Sequence, residues 1–131
     1  MLYEHSLISV VDDDLSFLDS MRRLLKSLGY EVAAFRSAGQ FLASAKLGTT
    51  ACVIADVQMP LMTGVELFEH LLATNQAIPT ILVTGYPNAQ VEERMRTLGV
   101  ECYLPKPLDE AVLIGCLRSA CSRRDGPQKN Q

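Results

Sequence analysis

Ala51-Cys52-Val53-Ile54-Ala55-Asp56-Val57-Gln58-Met59-Pro60 is the stretch on which the fold turns. Five small or branched residues run directly into a carboxylate, and a polar turn with a proline follows. A short continuous apolar run bounded by turn chemistry reads as a strand buried on both faces. Asp56 then stands at the exposed C-terminal tip of that strand.

Three further runs have the same form. Leu7-Ile8-Ser9-Val10-Val11 enters Asp12-Asp13-Asp14, Thr80-Ile81-Leu82-Val83 ends in Thr84, and Cys102-Tyr103-Leu104-Pro105 enters Lys106-Pro107. If these strands are parallel, acids, a hydroxyl and a lysine gather at one sheet edge. Such a cluster suits a divalent cation and a phosphoryl group.

Helical patterns alternate with the strands. Residues 6–11 are read as the first strand, and 15–28 as a helix with Leu18, Met21, Leu25 and Leu28 inward and Phe17 and Leu24 beside them, stopped by Gly29. Glu31–Phe35 is a second strand. Ser37 and Gln40 have capping-box spacing for a helix to about Lys46. Residues 51–55 form the third strand. Thr63 and Glu66 repeat the box, with Leu67, Phe68, Leu71 and Leu72 inward. Residues 80–83 form the fourth strand. Asn88 caps a helix burying Val91, Met95 and Leu98, and Gly99 ends it. Val100–Leu104 is the fifth strand, and Asp109 caps a last helix with Leu113, Leu117 and Ala120 inward. Strict alternation predicts an α/β fold with a parallel sheet covered on both faces. Right-handed crossovers place every strand's C-terminal end on one edge, where ligands bind.

Composition agrees with one globular domain. The chain has 131 residues, 48% of them hydrophobic, and a net charge of −3 from 12 basic and 15 acidic side chains. A chain this size buries about two-thirds of its unfolded surface. The mild acidity argues against nucleic-acid binding by bulk charge. No apolar run reaches the ~20 residues of a membrane helix, and the N-terminus does not read as a signal peptide. A cytoplasmic location is expected. Cys52, Cys102, Cys116 and Cys121 form no CxxC pair, and His5 and His70 add no zinc spacing. All four read as reduced, small apolar residues. The tail from Ser122 has no apolar residue, so 1–121 is expected to be the domain and 122–131 a polar tail or linker start.

The motifs Val11-Asp12-Asp13-Asp14, Asp56-x-x-Met59-Pro60-x-x-x-Gly64, Thr84-Gly85 and Lys106-Pro107, in this order and at strand ends, carry a resemblance. Over residues 6 to 121 the chain resembles the receiver domain of two-component response regulators. Its wording around Asp56 and Thr84 is most similar to the subgroup usually fused to a C-terminal helix-turn-helix output domain. The resemblance implies a flavodoxin-like (βα)5 fold with strand order 2-1-3-4-5, an order that general descriptions of the fold already illustrate with a member of this family. It implies Asp56 as phosphoacceptor, a carboxylate nucleophile toward phosphohistidine. Mg²⁺ is implied at Asp12, Asp13, Asp56 and the main-chain carbonyl of Gln58, with Asp13 favoured for direct ligation and Asp12 through water. Asp14 reads instead as the start of the first helix. Lys106 is implied to meet the phosphoryl oxygens, with a cis bond to Pro107 aiming its ammonium. Thr84 and Tyr103 are the implied switch pair. Gln58 and Tyr86 match positions that tune the lifetime of the acyl phosphate.

The implied partners are a sensor histidine kinase or phosphotransfer protein, docking by the first helix's Asp19, Arg22, Arg23 and Lys26. A homodimer is implied through the fourth helix, fifth strand and fifth helix, where Glu92, Glu93, Arg94 and Arg96 lie. The domain itself is expected to bind neither DNA nor membrane, and to be a switch that catalyses its own phosphorylation and dephosphorylation rather than a metabolic enzyme. A hydrolase of haloacid-dehalogenase type is the alternative. It would use Asp12 as nucleophile, and it leaves Asp56 unexplained.

Overall fold

The computed structural model describes residues 6–125. Five strands alternate with five helices: β1 Leu7–Val11, α1 Leu15–Ser27, β2 Glu31–Phe35, α2 Ala38–Leu42, β3 Thr50–Asp56, α3 Gly64–Ala73, β4 Thr80–Thr84, α4 Ala89–Thr97, β5 Cys102–Pro105 and α5 Glu110–Asp125. All strand pairs are parallel, in the order β2-β1-β3-β4-β5. The parallel sheet is the one the alternation predicts, and the strand order is the one the family resemblance implies. Among the described residues no helix is long and apolar enough to cross a membrane.

β3 is central, and every one of its residues is buried. Successive side chains point to opposite faces, which divides the core in two. Cys52 and Ile54 join Ile8, Val10, Leu18, Leu25, Leu113 and Leu117 under α1 and α5. Val53 and Ala55 join Phe41, Leu67, Phe68, Leu71, Leu82 and Met95 under α2, α3 and α4. A strand packed on both faces has no polar positions to alternate, hence its continuous apolar run.

The helix starts are set by local chemistry. Asp14 caps α1, its side chain accepting from Ser16 N and Phe17 N. Thr63 and Glu66 form the reciprocal capping box of α3. Asn88 caps α4. Gly29 and Gly99 follow α1 and α4 with φ of 96° and 93°, the left-handed turn that a Cβ disfavours.

Four expectations need correction. The second helix does not reach Lys46: α2 stops at Leu42, and Ser44 caps a 3₁₀ turn over Ala45–Thr49 by accepting from Lys46 N. At its other end the expected box is only half made, since Ser37 accepts from Gln40 N but the Gln40 side chain accepts from Arg36 N instead of Ser37 N. Leu72 and Leu98, at 42% and 40% exposure, do not join the inward stripes expected of them. α5 continues through Asp125, past the boundary expected after residue 121, while 126–131 lie outside the described residues. Finally, Cys102 and Cys116 are joined in a disulfide with Cα atoms 6.5 Å apart. Their separation of 14 residues carries no motif. Contact arises because α5 returns across the edge strand β5. Cys52 and Cys121 match the small-apolar reading and are fully buried.

Candidate functional site

β1, β3, β4 and β5 deliver their last residues to one edge, as parallel topology requires. Asp12 follows β1 and is wholly buried. Its Oδ1 accepts from Asp14 N at 2.9 Å, and its Oδ2 accepts from Lys106 Nζ at 2.9 Å. Asp13 is exposed beside it. Asp56 ends β3, is 6% exposed, and its Oδ1 accepts from Gln58 N at 3.2 Å. Lys106 Nζ also stands 3.5 Å from Asp56 Oδ2. One ammonium thus bridges two carboxylates contributed by different strands.

Lys106 is fixed at its backbone and at its ammonium. Its backbone N–H donates to Thr84 O at 2.8 Å, its bond to Pro107 is cis, and its ammonium lies 4.2 Å from the centroid of the Phe17 ring. The ring face attracts the cation. Phe17 is a site residue that the sequence reading assigned only to helix packing. The available signal was its place on the first turn of α1, directly above the strand edge.

The charges are unbalanced. Burial first, then the Asp12 charge, push the Asp56 carboxyl above its ordinary value. Lys106 and the Gln58 N–H pull it back without cancelling the rise. Burial alone would lower the Lys106 ammonium, but its bond to Asp12 and the charges of Asp12 and Asp56 hold it above its ordinary value. The carboxylate oxygens of Asp12, Asp13 and Asp56 lie within 4.8 Å of one another. Hard oxygen donors at this spacing, with one carboxyl raised by a like neighbour, fit a divalent cation.

Thr84 is fully buried. Its hydroxyl donates to Gln58 Oε1 at 2.9 Å and accepts from Tyr86 N at 2.9 Å. The Gln58 side chain therefore engages Thr84 directly, a contact the sequence reading did not contain. Tyr103 is 8% exposed, and its hydroxyl accepts from Asn88 N at 3.2 Å, which ties β5 to the start of α4. Tyr86 projects into solvent at 78% exposure. Asp14 is spent on capping α1.

Gly64 has a steric role. A Cβ there would lie 2.4 Å from the Asp56 carbonyl oxygen and 2.9 Å from its carbonyl carbon. α3 thus starts against the backbone of Asp56, with Gly64 N donating to Val57 O at 3.2 Å.

A family model described as response regulator receiver domain matches residues 8–118. The chain is 31% identical over 115 residues to the response regulator protein TodT of Pseudomonas putida, an alignment covering 88% of this chain and 51% of that protein. It is 31% identical to the transcriptional regulatory protein FixJ of Bradyrhizobium diazoefficiens, over 95% of this chain and 60% of that one. It therefore spans only half to three-fifths of either length. Among solved structures, the response regulator StyR superposes with a TM-score of 0.86 at 31% identity, over 95% of this chain and 63% of that one. A CheY-like receiver domain protein from Methanospirillum hungatei JF-1 gives 0.80 at 29% identity, over 92% and 96%. These matches do not favour the haloacid-dehalogenase alternative, and in that reading the nucleophile would be Asp12, whose carboxylate is buried and bonded to Lys106. By family match and fold alike, the chain belongs to the response regulator receiver domains of two-component signalling.

Proposed function

We propose that Asp56 is the phosphoacceptor. The carrying observation is the Lys106 ammonium, 2.9 Å from Asp12 and 3.5 Å from Asp56. An Asp56 carboxylate oxygen attacks the phosphorus of a phosphohistidine on a sensor kinase or phosphotransfer protein. The P–N bond breaks, imidazole leaves, and an acyl phosphate remains. Lys106 offsets the oxygens' charge where it already stands. Asp12, Asp13, Asp56 and the main-chain carbonyl of Gln58 would hold Mg²⁺, which when bound supplies further charge compensation at the phosphoryl oxygens. Asp13 is the better direct ligand, because both Asp12 oxygens already accept hydrogen bonds.

The switch begins at Thr84. To donate to a phosphoryl oxygen, its hydroxyl must leave Gln58. Tyr103, bonded to Asn88, then carries the change to α4 and β5. Gln58→Ala removes the competing acceptor, and we expect beryllofluoride, a phosphoryl mimic, to bind several-fold more tightly; weaker binding would contradict the latch. The Tyr86 backbone N–H bonds the Thr84 hydroxyl, and its ring is assigned to fold over the acyl phosphate from its exposed position and hinder an attacking water. Tyr86→Ala is expected to hydrolyse its acyl phosphate several-fold faster in a radiolabel chase, and a slower loss would refute the screening role.

Kinase docking is assigned to the α1 face with Asp19, Arg22, Arg23 and Lys26. The Asp19–Arg23 pair on it is exposed, so it adds little stability and leaves both groups available. The α4–β5–α5 face is assigned to symmetric dimerisation, with Glu92 and Arg96 paired on it. Arg94 turns instead to Glu69 of α3. A cytoplasmic regulator fused to a helix-turn-helix output, as the likeness to a transcriptional regulatory protein supports, completes the reading. The domain itself would not touch DNA. Size analysis with and without beryllofluoride and Mg²⁺, repeated on Asp56→Ala, tests it: the parent should shift in size and the variant should not.

A further inference from the structure

The α4–β5–α5 face contains a groove of about 390 Å³. Arg96 of α4, Glu101, Cys102 and Tyr103 at β5, and Val112 and Cys116 of α5 line it. The disulfide therefore lies where solvent molecules reach it. Cys102 is partly buried and Cys116 is 8% exposed, whereas Cys52 and Cys121 are sealed in the core. Burial foremost, with Cys121 and Glu101 nearby, pushes the Cys52 thiol well up. An enclosed, protonated thiol is inert. The four cysteines thus divide into one addressable pair and one sequestered pair.

The addressable pair has a mechanical position. β5 is an edge strand with a single strand neighbour. Cys102 is the residue before Tyr103, whose hydroxyl holds the start of α4. The cross-link fastens α5 to that strand one residue from the aromatic.

We propose that Cys102 and Cys116 form a reversible redox site whose oxidant and reductant are small disulfides and thiols, and whose cross-link restrains β5 and α5 on the output face. One cysteine thiolate attacks a disulfide RSSR, forming a mixed disulfide and releasing RS⁻. The second thiolate attacks the protein sulfur of that mixed disulfide and releases the other RS⁻. The two cysteine protons go to the released thiolates, so two electrons pass from the protein to RSSR. Excess thiol reverses both steps. In a thiol-reducing compartment such a bond is transient and responsive rather than a staple. The restraint on switching rests on the role given to Tyr103 above; formation of the bond does not.

The full chain is equilibrated in mixtures of reduced and oxidised glutathione, quenched with acid, alkylated under denaturing conditions and mapped by peptide mass. The expected result is a single Cys102–Cys116 linkage that rises and falls as one two-electron transition, with Cys52 and Cys121 alkylated throughout. No such linkage at the oxidising limit, or linkage through Cys52 or Cys121, overturns the site. Amide exchange then compares both redox forms, with Cys116→Ser as the permanently open control. Exchange at β5 and the first half of α5 should be roughly tenfold slower or more in the oxidised form. Equal rates overturn the restraint. Adding beryllofluoride should perturb β5 several-fold more in the reduced form, and an equal response overturns the regulatory role. A chain that passes the glutathione titration but takes no phosphoryl adduct counts against the Asp56 reading alone.

Discussion

Asp56→Asn will abolish the phosphoryl adduct and, without metal, make the protein more stable. The first effect follows from losing the proposed nucleophile: an amide oxygen forms no acyl phosphate. The second follows from the unbalanced charge. Burial and Asp12 hold the folded-state carboxyl of Asp56 above its ordinary value. For an acid raised in this way the folded state binds more protons than the unfolded one. Its favourable contribution is complete below the unfolded value and disappears as pH rises through the folded one. At neutral pH the ionised group therefore opposes folding. Replacing it should stabilise the metal-free chain by roughly 0.5–2 kcal/mol, as relief of functional-site strain commonly does. The gain should be near zero in acid, grow as pH rises through the carboxylate range, and shrink when Mg²⁺ binds the parent. Intact mass after treatment with a small phosphodonor and Mg²⁺, beside thermal melts across pH with a chelator, checks both. An adduct on the Asn variant, or a lower melting point at neutral pH, would sink the assignment.

Gly64→Ala should be the most damaging single methyl group in the domain. The new Cβ would stand 2.4 Å from the carbonyl oxygen of Asp56. That neighbour is backbone at the end of a fully buried strand, so no side chain can swing away. Either α3 moves outward, loosening Leu67, Phe68 and Leu71 from the core, or the Asp56 peptide shifts and moves the carboxylate away from Lys106. Overpacking of this kind costs about 3 kcal/mol, or a melting temperature lower by about 10 °C for a domain of this size. Phosphorylation should slow as well, since the proposed nucleophile and the Lys106 ammonium lose register. Gly85→Ala is the contrast, because a Cβ there meets nothing within 4 Å. Chemical denaturation and phosphorylation rates on both variants separate steric cost from a general loop effect; equal, small losses would overturn the argument.

The two predictions differ in how much of them the sequence carried. Asp56 was legible because a buried parallel strand writes itself as a continuous apolar run, and the polar residue that ends the run marks the sheet edge. The capping box of α3 was legible because its partners are three residues apart. The same logic gave α2 a box that the structure does not complete. Ser37-x-x-Gln40 has box spacing, yet Gln40 bonds to Arg36 N, and such a choice depends on how the preceding strand presents its N–H. Gly64 was visible as part of a motif, but nothing local says that α3 begins against the Asp56 carbonyl.

What the residues alone determined is whatever repeats at short range: the alternation of periods, the helix caps, the parallel sheet, and hence which strand ends share an edge. Contacts between distant segments belong to the tertiary structure. Lys106 meets Asp12 across 94 residues and lies over Phe17, Thr84 donates to Gln58, and Cys102 closes on Cys116. Periodicity says which face a side chain takes. Which atom it touches there depends on how helices pack over the sheet, and only the assembled core sets those distances.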